Sequence, residues 1–144
     1  MATGDLIVFD EAKAKMLDGD WASTDNFYCA VFTNAVPPTA AFGGPQFGDF
    51  TEVTATAAYL TGGTDLGTLA TLVTEVGGTM TFDSTTNPTW ASNAGGSADA
   101  SWAIVYNFTD ANKDALCFIE LGTVDMSAGS LTVTINGSGL FTIA

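Results

Sequence analysis

Closely spaced turn residues divide the chain from Glu52 onward into short apolar segments, and this division restricts the possible folds more than any other feature. Gly62-Gly63 and Gly77-Gly78 separate segments rich in threonine, valine and leucine. β-Branched residues suit the pleated surface of a strand, and a glycine pair between two such segments is typical of a hairpin. The pattern therefore predicts a series of short antiparallel strands.

The predicted strands are of ordinary strand length and carry either alternating or continuous apolar residues. They cover residues 26–33, 51–60, 69–76, 79–83, 101–107, 115–121, 130–135 and 140–144. About seven or eight strands without βαβ alternation are typical of an all-β fold, and we expect an antiparallel β-sandwich of the jelly-roll or immunoglobulin-like type. The length of 144 residues predicts a single domain over residues 1–144, with the closing strand in the sheet.

One short helix is predicted near the start of the chain, over residues 11–17. The alanine, methionine and leucine residues of this segment are good helix formers. Asp10 is placed to cap the first turn, and Glu11 precedes Lys15 by four residues, the favourable order for a helical ion pair. Gly19 is expected to end the helix, with a lysine in the last turns complementing the helix dipole.

Asp18 and Asp20 flank this glycine as a D-x-D pair, which is a candidate metal site. A calcium loop continues as D-x-D-x-D-G toward a distal glutamate. Here Asp20 is followed by WASTDNF, which does not continue that pattern. We therefore expect no metal at this pair.

The chain is strongly acidic, and this limits its partners. It has 16 Asp and Glu against 3 Lys, with no Arg and no His, and a formal net charge of −13. Binding to a phosphate backbone needs lysine and arginine to displace counterions, so we expect neither nucleic acid nor an anionic membrane surface as a partner. No apolar run approaches the roughly 18 residues of a membrane span.

Most catalytic schemes lack the residues that they need. Without histidine there is no Ser-His or Cys-His nucleophile and no His-ligated zinc. A carboxylate pair of the glycoside hydrolase type remains compatible with the residue types, through Glu52, Glu75 or Glu120. Glu75 and Glu120 are more simply exterior positions of half-buried strands. We expect no catalytic activity and no cofactor.

The three tryptophans could form a sugar-binding platform. Trp102 is in phase with Ile104 and Tyr106 along its strand, which predicts that it belongs to the core. Trp90 lies between polar, glycine-rich stretches and is the tryptophan predicted to be exposed. Trp21 follows the predicted helix.

A Pro- and Gly-rich loop at about residues 34–50 is the best candidate for an interface. Its prolines and glycines prevent regular structure, yet it carries Phe42 and Phe47, with Phe50 at its end. Such a loop is not expected to bury three rings in its own domain. Phe42, Phe47 and Phe50 are therefore predicted to contact a sister subunit or another protein.

Cys29 and Cys117 each lie in an apolar strand-like run, where a free cysteine behaves as a small buried hydrophobe. The start of the chain lacks the basic region of a signal peptide. We therefore expect synthesis in a cytoplasm and reduced thiols.

Two segments resemble small virion structural proteins of tailed bacteriophages, of the capsid decoration or cement type. They are FDEAKAKMLDGDW near the start and SLTVTINGSGLFTIA at the end, together with the strand pair around WAIVYNFTDANKDALCFIELG. The resemblance implies a β-rich, non-enzymatic protein present in many copies on the outer capsid surface. It implies the major capsid protein as partner, a homo-oligomer that is most often a trimer, and residence in the virion after synthesis in the host bacterial cytoplasm.

Alternative functions are a tail- or fibre-associated structural protein, a carbohydrate-binding β-sandwich and a β-sandwich hydrolase. A carbohydrate-binding module would show an exposed row of tryptophans. A hydrolase would show two facing carboxylates in a cleft.

Overall fold

The computed structural model describes residues 2–135 and 138–143 and is built mainly of strands. The helices are α1 (Asp10–Asp18) and α2 (Leu69–Leu72), with a 3₁₀ turn at Phe47–Asp49. The strands are β1 (Leu6–Val8), β2 (Asn26–Phe32), β3 (Thr64–Thr68), β4 (Val73–Val76), β5 (Thr79–Phe82), β6 (Thr89–Trp90), β7 (Ala100–Asn107), β8 (Ala115–Val124), β9 (Leu131–Thr132) and β10 (Phe141–Ile143).

The main sheet has five antiparallel strands in the order β1-β8-β7-β2-β3. Every residue of its central strand β7 is buried, because other parts of the chain cover both faces of the sheet. Val8, Cys117, Val105 and Cys29 lie in one row across four of the strands. Both cysteines are buried and free, as the apolar runs around them predicted.

Two layers cover the main sheet. On one face, Phe118 packs against Phe9, which precedes α1, with ring centroids 4.9 Å apart. On the other face, Phe27 contacts Phe82 of the three-stranded sheet β10-β5-β4 edge-to-face at 5.5 Å. Strands make up 36% and helices 11% of the chain, far below the usual helical share of roughly 30–35%. The fold is all-β, antiparallel and sandwich-like.

The N-terminal helix is present, but its first turn differs from the prediction. Asp10 is the first helical residue, and Phe9 occupies the N-cap position without a side-chain hydrogen bond. Asp10 and Glu11 instead place carboxylates at the positive end of the helix dipole. Gly19 ends the helix in the left-handed conformation at φ 76°, as predicted, and its N–H donates to the Lys15 carbonyl.

The strand predictions hold where apolar residues are continuous and fail where threonine and alanine dominate. Residues 51–60 form no strand and contribute a single bridge from Glu52 to Phe32. Residues 69–76 begin with α2, because the Thr71 hydroxyl donates to the Thr68 carbonyl at 2.8 Å and favours a turn over extended backbone. The hairpin across Gly77-Gly78 is confirmed, and both glycines have positive φ.

Near the C-terminus the strand is shorter than predicted. Only Leu131–Thr132 of residues 130–135 is a strand, and it pairs with β6. The closing segment joins a sheet as β10, which pairs with β5. The segment between the predicted strands 130–135 and 140–144 lies partly outside the described residues. Strands β1, β3 and β6 were not predicted.

Candidate functional site

The aromatic loop at residues 34–50 packs onto its own domain, so the prediction of exposed rings is wrong. Phe50 is 6% exposed, and Phe42 and Phe47 are half-buried against the core. The Phe32 ring contacts both Phe47 and Phe50 edge-to-face at 5.3 and 5.9 Å. An interface at these three residues stays a prediction. The exposed apolar surface that motivated it is not present, because the rings pack against the core.

Backbone hydrogen bonds explain how a loop without regular structure covers a sheet. The Phe47 N–H donates to the Lys113 carbonyl, and the Ala115 N–H donates to the Pro45 carbonyl. Gln46 and Asp49 form a reciprocal capping box around the 3₁₀ turn. With these polar groups paired, the rings of the loop can be buried at little cost.

All three tryptophans are buried, which corrects the prediction for Trp90. Trp21, Trp90 and Trp102 are 7%, 4% and 8% exposed. Trp102 belongs to the core as predicted, and its indole N–H donates to the Asn34 side chain at 3.0 Å. Trp90 contacts the Tyr59 ring at 5.5 Å. The row of exposed tryptophans expected of a carbohydrate-binding module is therefore not formed.

Each of the three strand-associated glutamates has a different environment. Glu52 Oε1 accepts hydrogen bonds from the Tyr59 hydroxyl at 2.7 Å and the Gly62 N–H at 2.6 Å, which holds the irregular segment 51–63 against the sheet edge. Glu75 is exposed and accepts from the Gly78 N–H in the hairpin turn. Glu120 lies on β8 and is half-buried.

A cleft lies between the β1–β8 edge of the main sheet and the segment after β9. Its volume is about 360 Å³, and most of its wall is apolar, including Leu6, Ile119, Leu131 and Val133. Glu120 is the one carboxylate residue among the described residues that line it. The facing carboxylate pair of a glycoside hydrolase is therefore not found in this cleft within residues 2–135 and 138–143.

The described residues contain no candidate metal site and no membrane-spanning helix. Asp18 and Asp20 are both exposed, and no group of three or more potential metal ligands occurs in the part of the chain that the structure describes. No helix in that part is long and apolar enough to cross a membrane.

Each of the three lysines is engaged with another group of the same domain. Lys13 Nζ contacts Asp10 at 2.7 Å in an exposed pair on α1. Lys113 Nζ lies over the rings of Phe47 and Phe108, at 5.3 and 4.9 Å from their centroids. Lys15 pairs with Asp114. Every lysine therefore contacts another group of the same domain. The rest of the surface presents carboxylates, hydroxyls and apolar groups.

Lys15, Asp114 and Asp110 form the most buried charged cluster in the described residues. The side chains of Lys15 and Asp114 are only 23% and 7% exposed, and Lys15 Nζ contacts Asp114 Oδ2 directly. Burial raises the pKa of the Asp114 carboxyl, and a hydrogen bond with the Asp110 side chain acts in the same direction. The sequence predicted a helical ion pair between Glu11 and Lys15, but Lys15 pairs with Asp114 instead.

The loop between β7 and β8 holds this cluster in place. Buried Asn107 accepts hydrogen bonds from the N–H groups of Thr109 and Asp110 at 3.0 and 3.1 Å. Lys113 then adopts φ 53°, a left-handed conformation that non-glycine residues seldom take, and turns the chain so that Asp114 enters β8 facing α1.

No protein-family model, curated protein or solved structure matches this chain. Its site is therefore interpreted from its own chemistry.

An apolar end patch lies where one helix and three strands meet. We define it as Met16 of α1, Val73 of β4, Met80 of β5, and Phe141 and Ile143 of β10, which line one small depression. Met80 and Ile143 are adjacent in register and are 45% and 44% exposed. Contiguous exposed apolar surface of this kind marks interaction sites in many proteins.

Sequence interpretation missed both the buried cluster and the apolar end patch. Lys15 was assigned to the helix end, and its partner Asp114 lies 99 residues further on. A chain with so few cations must pair them with some of its many carboxylates, but the sequence does not identify which ones. The patch is assembled from one helix and three strands, so no single segment carries its signal.

Proposed function

We propose that the protein is a non-enzymatic structural protein of a bacteriophage virion, which binds the outer surface of the capsid as a decoration protein and stabilises the head. This proposal rests on the observation that all three lysines contact other groups within the domain. A surface of this composition repels phosphate and is suited to protein partners. The resemblance of both ends of the chain to small virion structural proteins agrees with it.

The apolar end patch is the proposed capsid contact. Met80 and Ile143 are 45% and 44% exposed, and Met16, Val73 and Phe141 beside them are half-buried. Covering this surface with a neighbouring protein removes apolar groups from water at about 25 cal/mol per Å². The surrounding carboxylates favour a neutral or basic region of the capsid protein.

A binding experiment with phage heads tests the proposal. Heads lacking the protein are purified from the phage that encodes it, mixed with the purified protein and sedimented. We expect saturable binding in symmetric multiples, with trimers favoured in solution. The variant Met80→Asp/Ile143→Asp should weaken binding at least about tenfold, which is ~1.4 kcal/mol.

Leu60→Asp is the matched control, since Leu60 is also an exposed apolar residue, at 69%, but is not part of the patch. It should bind heads like the unmodified protein. Binding to purified tails and not to heads would instead assign the protein to the tail. Failure to bind either particle would contradict the proposal.

A further inference from the structure

The buried Lys15–Asp114 pair has the geometry of a condensation site. We propose that Lys15 and Asp114 form an intramolecular isopeptide bond, an amide between Lys15 Nζ and Asp114 Cγ that arises spontaneously after folding. The product covalently connects α1 to the start of β8. This inference does not depend on the proposed function, because it concerns a modification within one chain.

Contact and burial distinguish this pair from an ordinary surface ion pair. Lys15 lies in the last turn of α1, and its Nζ touches the Asp114 carboxylate, whose side chain is 7% exposed. The exposed pair of Lys13 and Asp10 has side chains that are 56% and 60% exposed, so water solvates both charges. The chain thus contains one candidate pair and one internal control.

The reaction balances without any co-reactant. An ammonium and a carboxylate give an amide and one water molecule. The Nζ–Cγ bond forms and the bond from Cγ to one carboxyl oxygen breaks. Two of the three ammonium protons leave with that oxygen as water, and the third remains on the amide nitrogen.

Asp110 is placed to move the proton. Its backbone N–H donates to Asn107 Oδ1 at 3.1 Å, and its side chain raises the pKa of Asp114 through a hydrogen bond. In the reaction a proton passes from Nζ to the Asp114 carboxyl that it contacts, and Asp110 assists by exchanging that proton with the departing oxygen, which is general acid–base catalysis.

Burial favours the product over the ion pair. Two charges in a site with little solvent carry a desolvation cost, and a neutral amide does not. Holding the two groups in contact corresponds to effective concentrations of about 10⁵–10⁸ M in well-oriented intramolecular reactions. Together these effects overcome the preference of amines and acids in water to remain ionised and separate.

The ionisation of the cluster shows that the reaction must begin with a proton transfer. Burial raises the pKa of Asp114 above its ordinary value, with the hydrogen bond to Asp110 acting in the same direction and Lys15 opposing it. The hydrogen bond to Asp114 raises the pKa of Lys15, with smaller contributions from the charges of Glu11 and Asp20. Proton transfer from Nζ to the Asp114 carboxyl is therefore needed before Nζ can attack, and Asp110 assists this step.

Intact-mass spectrometry of the denatured protein tests the bond directly. We expect the purified protein to be lighter than its sequence mass by one water molecule. Lys15→Arg keeps the ion pair but cannot form the amide, so it should have its full sequence mass. Lys13→Arg, the control at the exposed pair, should still lose one water molecule. A wild-type protein at its full sequence mass would overturn the proposal.

Two further variants test the mechanism. Asp114→Asn can form the same amide with loss of ammonia, so its product should have the same mass as the condensed wild type. Asp110→Asn removes the proton carrier and should slow condensation by about 10²–10⁴-fold. Condensation of Asp110→Asn at the wild-type rate would overturn the role of Asp110.

Digestion locates the bond. Trypsin has only the three lysines as cleavage sites, because the chain contains no arginine. In the unmodified chain, cleavage after Lys113 releases residues 114–144. In the condensed chain, Lys15 resists cleavage and residues 114–144 remain joined to residues 14–113. Release of the free peptide from the wild type would overturn the assignment.

Discussion

Phe50 shows how one side chain fixes the aromatic loop to the sheet. Its ring contacts those of Phe9, Phe32 and Phe42, with centroids 6.1, 5.9 and 5.1 Å apart. Phe50→Ala removes all three contacts and leaves a cavity. We expect the free energy of unfolding to fall by about 3–5 kcal/mol, measured by urea denaturation.

Leu60→Ala is the control for this measurement. Leu60 is 69% exposed, so its replacement should change the free energy of unfolding by less than about 0.5 kcal/mol. If Phe50→Ala were as stable as the wild type, the ring would not belong to the core and the loop would be free to contact another protein.

At the residue scale, the sequence predicts burial where a side chain is in phase with its strand neighbours. Trp102 alternates with Ile104 and Tyr106, and its burial was predicted. Trp90 has polar neighbours in sequence but is covered by Tyr59, a residue from a segment without strand structure. That contact depends on tertiary packing, which the local pattern around Trp90 does not encode.

At the element scale, continuous apolar runs were the most informative pattern. Strands β2, β7 and β8 lie where they were predicted, because a run buried on both faces has few alternatives to a central strand. Segment 51–60 has β-branched residues but is held by Tyr59 and Glu52 rather than by a ladder. Its threonines and alanines suit a strand and an irregular covering segment equally well.

The buried thiols of Cys29 on β2 and Cys117 on β8 make the free energy of unfolding depend on pH in the alkaline range. Burial raises the pKa of Cys29 from 9.0 to about 12, and burial likewise raises the pKa of Cys117. Above about pH 9 the unfolded chain loses these protons while the folded chain keeps them. The folded state then binds more protons, so the free energy of unfolding falls as pH rises, by about 1.4 kcal/mol per thiol between about pH 8 and pH 10.

Urea denaturation at these two pH values measures the effect. The variant Cys29→Ala/Cys117→Ala should lose most of the pH dependence over this range, because the other groups that titrate in alkaline solution, tyrosine and lysine, have ordinary pKa values of about 10 or above in the unfolded chain. Equal stability of the wild type at both pH values would contradict the burial of the thiols.

At the scale of the whole molecule, the layers of the sandwich bring together groups that are far apart in the sequence. Lys15 meets Asp114, and the apolar end patch combines α1 with β4, β5 and β10. The sequence predicts the layers from their apolar runs, but a contact between layers depends on register and on loop paths. The fold class was therefore predictable, whereas the buried cluster was not.

The net charge acts on the molecule as a whole and gives the last prediction. With a formal net charge of −13 and every lysine engaged internally, the remaining carboxylates repel one another in the folded state. Raising sodium chloride from about 10 mM to 150 mM shortens the Debye length from about 30 Å to about 8 Å. We expect the melting temperature, followed by circular dichroism, to rise by about 3–6 °C, or roughly 1–2 kcal/mol for a domain of this size.

Asp18→Asn removes an exposed carboxylate at the negative end of the α1 dipole, so it should raise the melting temperature in low salt and reduce the response to added salt. A melting temperature that falls with salt would mean that attractive ion pairs outweigh the repulsion between carboxylates, which would contradict this prediction.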